Sequence, residues 1–219
     1  MEGPDTITWE EFVANAEELV SVSDRLADHW LFLGDKKIPG QAYLLHQEKM
    51  LVPIDYLTND DSSSDVEDIV DSKADEWSTK FDICMDPFEA PCAKERPLVT
   101  EHHVLWSMSY AVPVIYFNGW KSDYPGVNPV SVEIVQRLLA NNRLAYTELS
   151  QAMHPLLGRP YLHLHPCGSR HLLRSMSRST NKLVSWLSAV APVALNLRLH
   201  PDYFRLTSGG ESGSGPRED

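Results

Sequence analysis

Hydrophobic and polar positions change period several times along the chain, and each change predicts an element. Phe12, Ala16, Leu19, Val20, Ser23, Leu26, Ala27 and Trp30 recur at helical spacing, which predicts an amphipathic N-terminal helix reaching Trp30. Thr8 and Glu11 have the spacing of a capping box that would start it. A turn rich in charge and glycine follows from Gly34 to Gly40. Two runs of strand character come next, about 41–47 and 50–57, and Pro53 marks the second as an edge or broken strand.

From Thr58 to Glu76 the periodicity stops. Asp60, Asp61, Asp65, Glu67, Asp68, Asp71, Asp75 and Glu76 sit among serines, with Lys73 alone opposing them. Apolar side chains are too few there to offset the ordering entropy, so a mobile acidic loop is expected at about 58–80. Pro87, Pro91 and Pro97 predict an irregular or poor edge strand over 81–97. Strand character returns at 98–109, with Val104, Trp106 and Met108 on one parity. Pro113 then predicts a turn over 110–113 and a second strand over 114–117.

A helix is expected over 131–140, ended by Asn141-Asn142, and 147–158 reads as loop or short helix. Helical spacing resumes around 171–176. A longer helix over 181–191 would bury Leu183, Trp186, Leu187 and Val190 and stop at Pro192. Residues 207–219 are mostly glycine, serine and charge and read as a disordered tail. A helix, then antiparallel strands, then late helices imply an α+β fold, as one domain over 1–206.

One segment carries candidate chemistry. Tyr161-Leu162-His163-Leu164-His165-Pro166-Cys167-Gly168 alternates as a half-buried strand does, with the leucines on one face and His163 and His165 on the other. Cys167 shares the histidines' parity, so the strand would present a thiol beside imidazoles. Cysteine is usually buried as a small hydrophobe, which makes an outward thiol a candidate. Three readings are open on these residues. Cys167 is a structural cysteine, a zinc ligand with His163, His165 and either His154 or His171, or a nucleophile.

Composition narrows the partners. The 219 residues include 19 lysines and arginines against 31 aspartates and glutamates, a formal charge of −12, which argues against nucleic acid. Three cysteines without paired spacing, and no signal-peptide pattern, point to a reducing, cytoplasmic setting. The most apolar run, Leu183 to Leu197, is interrupted by serine, proline and asparagine. It falls short of the roughly 20 residues of a membrane span.

Three ordered blocks resemble a known family. His154-Pro155-Leu156-Leu157-Gly158-Arg159-Pro160 with His165-Pro166-Cys167 is similar to the active-site stretch of the autophagy-related protein 10 family of E2-like (ubiquitin-conjugating-like) enzymes. The run from His103 to Phe117 resembles that family's central strand pair, and Ser185 to Val193 its C-terminal helix. The resemblance implies an E2-like core, an antiparallel sheet flanked by helices. It also implies that Cys167 accepts a ubiquitin-like modifier as a glycyl thioester and passes it to a lysine. Implied partners are autophagy-related protein 7 as activating enzyme, autophagy-related protein 12 as modifier and autophagy-related protein 5 as target, with no metal or organic cofactor.

The same resemblance gives His165 a role in oxyanion stabilisation or lysine deprotonation, and Tyr110 a role in shaping the site. The His-Pro-Asn motif of ordinary ubiquitin-conjugating enzymes is absent, since Leu156 follows His154-Pro155. His154 and Pro155 read as structural, His163 as a surface residue, Trp186 as core, and Cys84 and Cys92 as bystanders. The autophagy-related protein 3 family also carries His-Pro-Cys but acts on a lipid and has a membrane-sensing N-terminal helix. Here that helix carries Glu10, Glu11, Glu17, Glu18, Asp24 and Asp28, too acidic for an anionic membrane. A non-catalytic E2-like adaptor is the alternative from another class.

Overall fold

The computed structural model describes residues 5–53, 95–140 and 149–208. The expected acidic loop at 58–80, Cys84 and Cys92, the Asn141-Asn142 helix stop and the tail beyond 208 lie outside the described residues.

The capping box at Thr8 forms as its spacing predicts. The Thr8 hydroxyl accepts from the Glu11 amide, and the Glu11 carboxylate accepts from the Thr8 amide. It opens helix α1 (Trp9–Leu26), whose Phe12, Ala16 and Leu19 are fully buried. The helix ends at Leu26, earlier than expected, because Ala27 takes a left-handed conformation with φ 54°. Trp30 is therefore not on the helix, although it is fully buried. The Ser23 hydroxyl accepts the Trp30 amide at 2.8 Å and fixes the chain as it leaves α1.

Six strands among the described residues form one antiparallel sheet. They are β1 (Leu31–Gly34), β2 (Ala42–Pro53), β3 (Glu95–Ser107), β4 (Val112–Trp120), β5 (Leu149–Met153) and β6 (Pro160–Leu164), in the order β1-β2-β3-β4-β6-β5. The helices α2 (Val132–Ala140), α3 (Ser169–Ser175) and α4 (Lys182–Val190) come late in the chain. This is the expected α+β arrangement.

The pleat sorts side chains between two faces. Leu44, Val104 and Ile115 lie in one row across β2, β3 and β4, and Phe117 pairs with Leu162 of β6. These residues share a core with Phe12 and Leu19 of α1 and with Leu183, Trp186 and Leu187 of α4. On the opposite face, Tyr43, Leu105 and Val114 form one row and His103, Tyr116 and His163 the next. No helix of the main core covers that row; the 154–159 loop does, as described below.

Prolines account for most departures from the expected strands. Residues 42–53 form one strand, β2, with Pro53 where β1 no longer pairs with it, and the rest of the expected second run, 54–57, lies outside the described residues. β3 begins at Glu95, and Pro97 sits beyond the last residue that β4 reaches. The β3–β4 turn falls at 108–111, with Ala111 at φ 51°, so Pro113 lies inside β4. Its carbonyl accepts from the Ser169 hydroxyl, on the side away from β3. A strand residue's N–H and C=O share one edge, so the missing donor costs the β3–β4 ladder nothing. Residues 149–153 are an edge strand, where loop or short helix was expected.

Ser169 ties three elements together. Its hydroxyl donates to Pro113 O of β4 at 3.1 Å and accepts from Trp186 Nε1 of α4 at 3.0 Å, with all three groups buried. Ser169→Ala leaves the indole N–H without this partner. Unfolding in urea should show a loss of about 1–3 kcal/mol, and an unchanged midpoint would mean the bond contributes nothing net.

Candidate active site

β6 delivers the chain to a single 3-10 turn, Pro166–Gly168, from which α3 follows directly. Pro166 occupies the first position of that turn, where the lack of an N–H leaves no bond unmade. His165 caps it, its Nδ1 accepting the Cys167 amide at 3.2 Å. Cys167 thus sits exposed on a turn, not on the strand face its parity predicted. The turn carries the thiol outward while Pro166 and Ser169 on either side are buried.

Tyr110, distant in sequence, arrives on the β3–β4 turn and packs edge-on against His165 with ring centroids 5.9 Å apart. The Arg170 guanidinium donates to Tyr110 O at 3.3 Å, linking that turn to α3. A groove of about 410 Å³ opens alongside, lined by Trp106, Tyr110, Tyr116, Leu156, His163, His165 and Pro166, among others. Cys167, His165 and Tyr110 therefore share one region of the surface, and an open, partly aromatic groove runs up to it.

The groove's far wall is the loop from His154 to Arg159. It closes on itself through His154 N to Arg159 O and Gly158 N to His154 O, with Gly158 at φ 61°. His154 is buried, and its ring fixes the loop. Nδ1 accepts from the Leu156 and Leu157 amides, both at 3.2 Å, so in the neutral ring Nε2 carries the hydrogen. That Nε2–H donates to His103 Nδ1 at 3.0 Å. His103 in turn carries its hydrogen on Nε2, which faces the Glu101 carboxylate at 3.2 Å. The N–H is poorly aligned with the oxygen, so this last contact is charge against dipole more than a hydrogen bond. The Tyr161 hydroxyl completes the set, donating to Glu101 at 2.6 Å.

Electrostatics agree with this direction of donors. His103, aided by Tyr161, holds the Glu101 carboxyl below its usual range despite burial. Burial, with Glu101 adding to it, pushes the Tyr161 phenol up. Burial first, then His103, lowers His154 to about 4. His163 is lowered to about 4 by burial and then by His165. The surface position expected for His163 is thus wrong. Its ring lies tilted against Tyr116 with centroids 4.5 Å apart, and the Ser150 hydroxyl of β5 is 3.4 Å from its Nδ1.

Among the described residues, no three histidine, cysteine or acidic side chains are arranged to hold a metal ion. The zinc set of His163, His165 and Cys167 fails on geometry, since the turn takes Cys167 off the strand. Sequence parity missed Glu101, His103, Tyr116 and Tyr161 as members of the site's framework. The signal was there, because these residues alternate with the apolar core positions of β3, β4 and β6.

With this geometry in place, comparison with known proteins is informative. The family model described as "Autophagocytosis associated protein, active-site domain" matches residues 11–200, most of the chain. The chain belongs to this family. It is 32% identical over 111 residues to the "Ubiquitin-like-conjugating enzyme ATG10" of Arabidopsis thaliana, covering 42% of this chain and 47% of that protein. It is 30% identical over 149 residues to the Homo sapiens protein of the same name, covering 60% and 64%. The Dictyostelium discoideum protein of that name is 26% identical over 129 residues, covering 49% and 55%. The chain thus spans about half to just under two thirds of the length of the curated relatives it matches. Within the family's matched region lie all but the first two residues of α1, the six described strands and the Cys167 turn.

The buried imidazoles set a pH dependence. His154 and His163 titrate at about 4 and His102, buried on the helix side, at about 3, against an ordinary value of 6.5. Their folded values lie below the unfolded one, so the unfolded chain binds protons that the folded chain refuses. Stability is complete above 6.5 and declines as pH falls from there toward 4; Glu101, also lowered, extends the loss further into acid. Urea midpoints measured from pH 7 to 4.5 should fall steadily, and a flat profile would contradict the buried neutral rings.

Proposed function

We propose that this chain is an E2-like conjugating enzyme that carries a ubiquitin-like modifier on Cys167. The observation that carries the reading is an exposed cysteine on a capped turn, at the end of an aromatic groove, in a chain of this family. The names of the curated relatives support it. The reading takes residues 1–206 as one conjugating domain acting in the cytoplasm.

The chemistry is acyl transfer in two steps. The Cys167 thiolate attacks the carbonyl of a modifier held as a thioester on an activating enzyme, and the activating enzyme's thiolate leaves. A target lysine, as the neutral amine, then attacks the new thioester, and the Cys167 thiolate leaves as the isopeptide bond forms. The lysine must shed a proton against an ordinary pKa near 10.4. Each tetrahedral intermediate places charge on oxygen and needs a donor within hydrogen-bond reach.

His165 suits the donor role. Its Nδ1 accepts the Cys167 amide, so the neutral ring holds its hydrogen on Nε2. This favours oxyanion stabilisation over proton abstraction, because a base needs a bare nitrogen. Tyr110, packed edge-on against His165, orients that ring. The finer assignment makes autophagy-related protein 7 the activating enzyme, autophagy-related protein 12 the modifier and autophagy-related protein 5 the target.

A lipid target is disfavoured by α1. Its first turn is acidic, and its apolar side chains Phe12, Ala16 and Leu19 are in the core, so none is available for a bilayer. Among the described residues no helix is long and apolar enough to cross a membrane.

A charging assay tests the reading directly. Activating enzyme, ATP and modifier are mixed with the chain and run on non-reducing gels. Wild type should gain a modifier-sized shift that thiol removes, and Cys167→Ser a shift that thiol does not remove. No shift beside a demonstrably charged activating enzyme leaves the adaptor as the better reading. His165→Ala should still load but transfer about 100-fold more slowly; equal transfer rates would remove His165 from the chemistry.

A further inference from the structure

The charge of this chain is unevenly distributed. From Leu149 to Pro201 there is no aspartate or glutamate, in a chain of formal charge −12. The same stretch holds Arg159, Arg170, Arg174, Arg178, Lys182 and Arg198. It is also the stretch that carries Cys167. A solvated surface of a strongly acidic protein has no need of such a segregated block.

Three of these cations follow the thiol closely in sequence, two of them on α3. α3 starts two residues after Cys167, and Arg170 and Arg174 lie one helical turn apart on it, with Arg178 just beyond. At a rise of about 1.5 Å per residue, Arg174 stands roughly 10 Å along the chain from Cys167. Arg170, Arg174 and Arg178 are all exposed. Neither Arg174 nor Arg178 has an ion pair among the described residues, whereas Lys182 is taken by Glu11 at 3.5 Å.

Among the described residues, no carboxylate lies on the elements packed against α3. Its neighbours are α4, β4 and the 166–168 turn, none of which contains a carboxylate. The 108–111 turn, joined through Arg170 to Tyr110 O, has none either. An array of arginines without carboxylate partners among the described residues is matched by carboxylates, with which the guanidinium fork can bond in pairs.

We propose that Arg170, Arg174 and Arg178 form the landing surface for an acidic segment of a partner protein that meets this chain at Cys167. The proposal rests on the conjugating-enzyme reading for its timing, since a partner held there lies beside the loaded thioester. An anionic membrane fits less well. Leu51 and Tyr124 are exposed away from α3, and Met108 on the adjoining turn is a single apolar side chain, too little to anchor a membrane. The remaining surface, rich in carboxylates, would repel such a membrane.

The test uses the full chain as Cys167→Ser, which needs no chemistry, with an octaglutamate peptide as probe and amide NMR as readout. Shifts should be confined to about 168–180 and vanish in about 0.5 M salt. Arg174→Glu with Arg178→Glu should weaken binding about tenfold or more, and the paired Arg→Lys variant should retain most of it. Circular dichroism confirms that the variants fold. Shifts elsewhere, or equal binding by the Glu variant, overturn the proposal. So does tighter binding to vesicles of about 30 mol% phosphatidylserine, which would make the surface a membrane contact. Binding that appears only after the acidic residues of 58–76 become amides also overturns it, because the chain's own segment would then hold the patch.

In the charging and transfer assay the Glu variant should slow one of the two steps about tenfold at low salt, with the difference disappearing at high salt. Equal rates at both steps overturn the partner role. Failure of charging altogether, with peptide binding intact, would sink the enzyme reading and leave the surface standing.

Discussion

Two consecutive histidines on the central strand hold the layers of this protein together. His102 and His103 follow one another on β3, so the pleat sends their rings to opposite faces of the sheet. On the helix side, His102 Nε2 donates to Ala194 O at 2.7 Å, fastening the segment after α4. On the other side, His103 Nδ1 accepts from His154 and fastens the loop that walls the groove. Both rings are almost completely buried. A positive charge on His102 would face the desolvation cost of an interior ion, and the bond from His154 requires His103 to present a bare Nδ1.

That arrangement explains how a sheet with helices concentrated on one side can bury residues on both. The outer face is closed by a short loop, too small to supply a hydrophobic layer of its own. Instead the tyrosines and histidines of β2, β3, β4 and β6 stack with one another, and the loop's amides end on His154. Aromatic rings with a polar edge suit this position, since they contribute contact area and also satisfy backbone donors. The groove beside Cys167 exists because this cover stops short of the 108–111 turn.

The Cys167 turn is positioned by the same economy of polar bonds. Ser169 joins β4 to α4, His165 caps the turn, and Arg170 reaches back to the β3–β4 turn. Three side chains within six residues of sequence thus fix a cysteine that itself remains exposed. The thiol is presented by a rigid surround without being buried in it. The acyl transfer proposed for Cys167 requires that combination.

The sequence by itself determined the elements whose signals are local. The Thr8–Glu11 capping box, the apolar stripe of α1, the strands around Val104 and Ile115, and α4 with its buried Trp186 were all legible, because capping and periodicity act over a few residues. The motif blocks around His154 and Cys167 were legible for the same reason. Long-range partners decided what those signals could not. β5 became a strand because β6 offered it an edge, and Pro113 was accepted inside β4 because its carbonyl found Ser169 instead of β3. Trp30 was buried off the helix by a left-handed Ala27, and His163 was buried against Tyr116 of the neighbouring strand. The meeting of Tyr110 with His165, and the chain from Glu101 through His103 to His154, join residues about 50 positions apart. No local period encodes such contacts, since they form only when the sheet's register brings separate strands to one row.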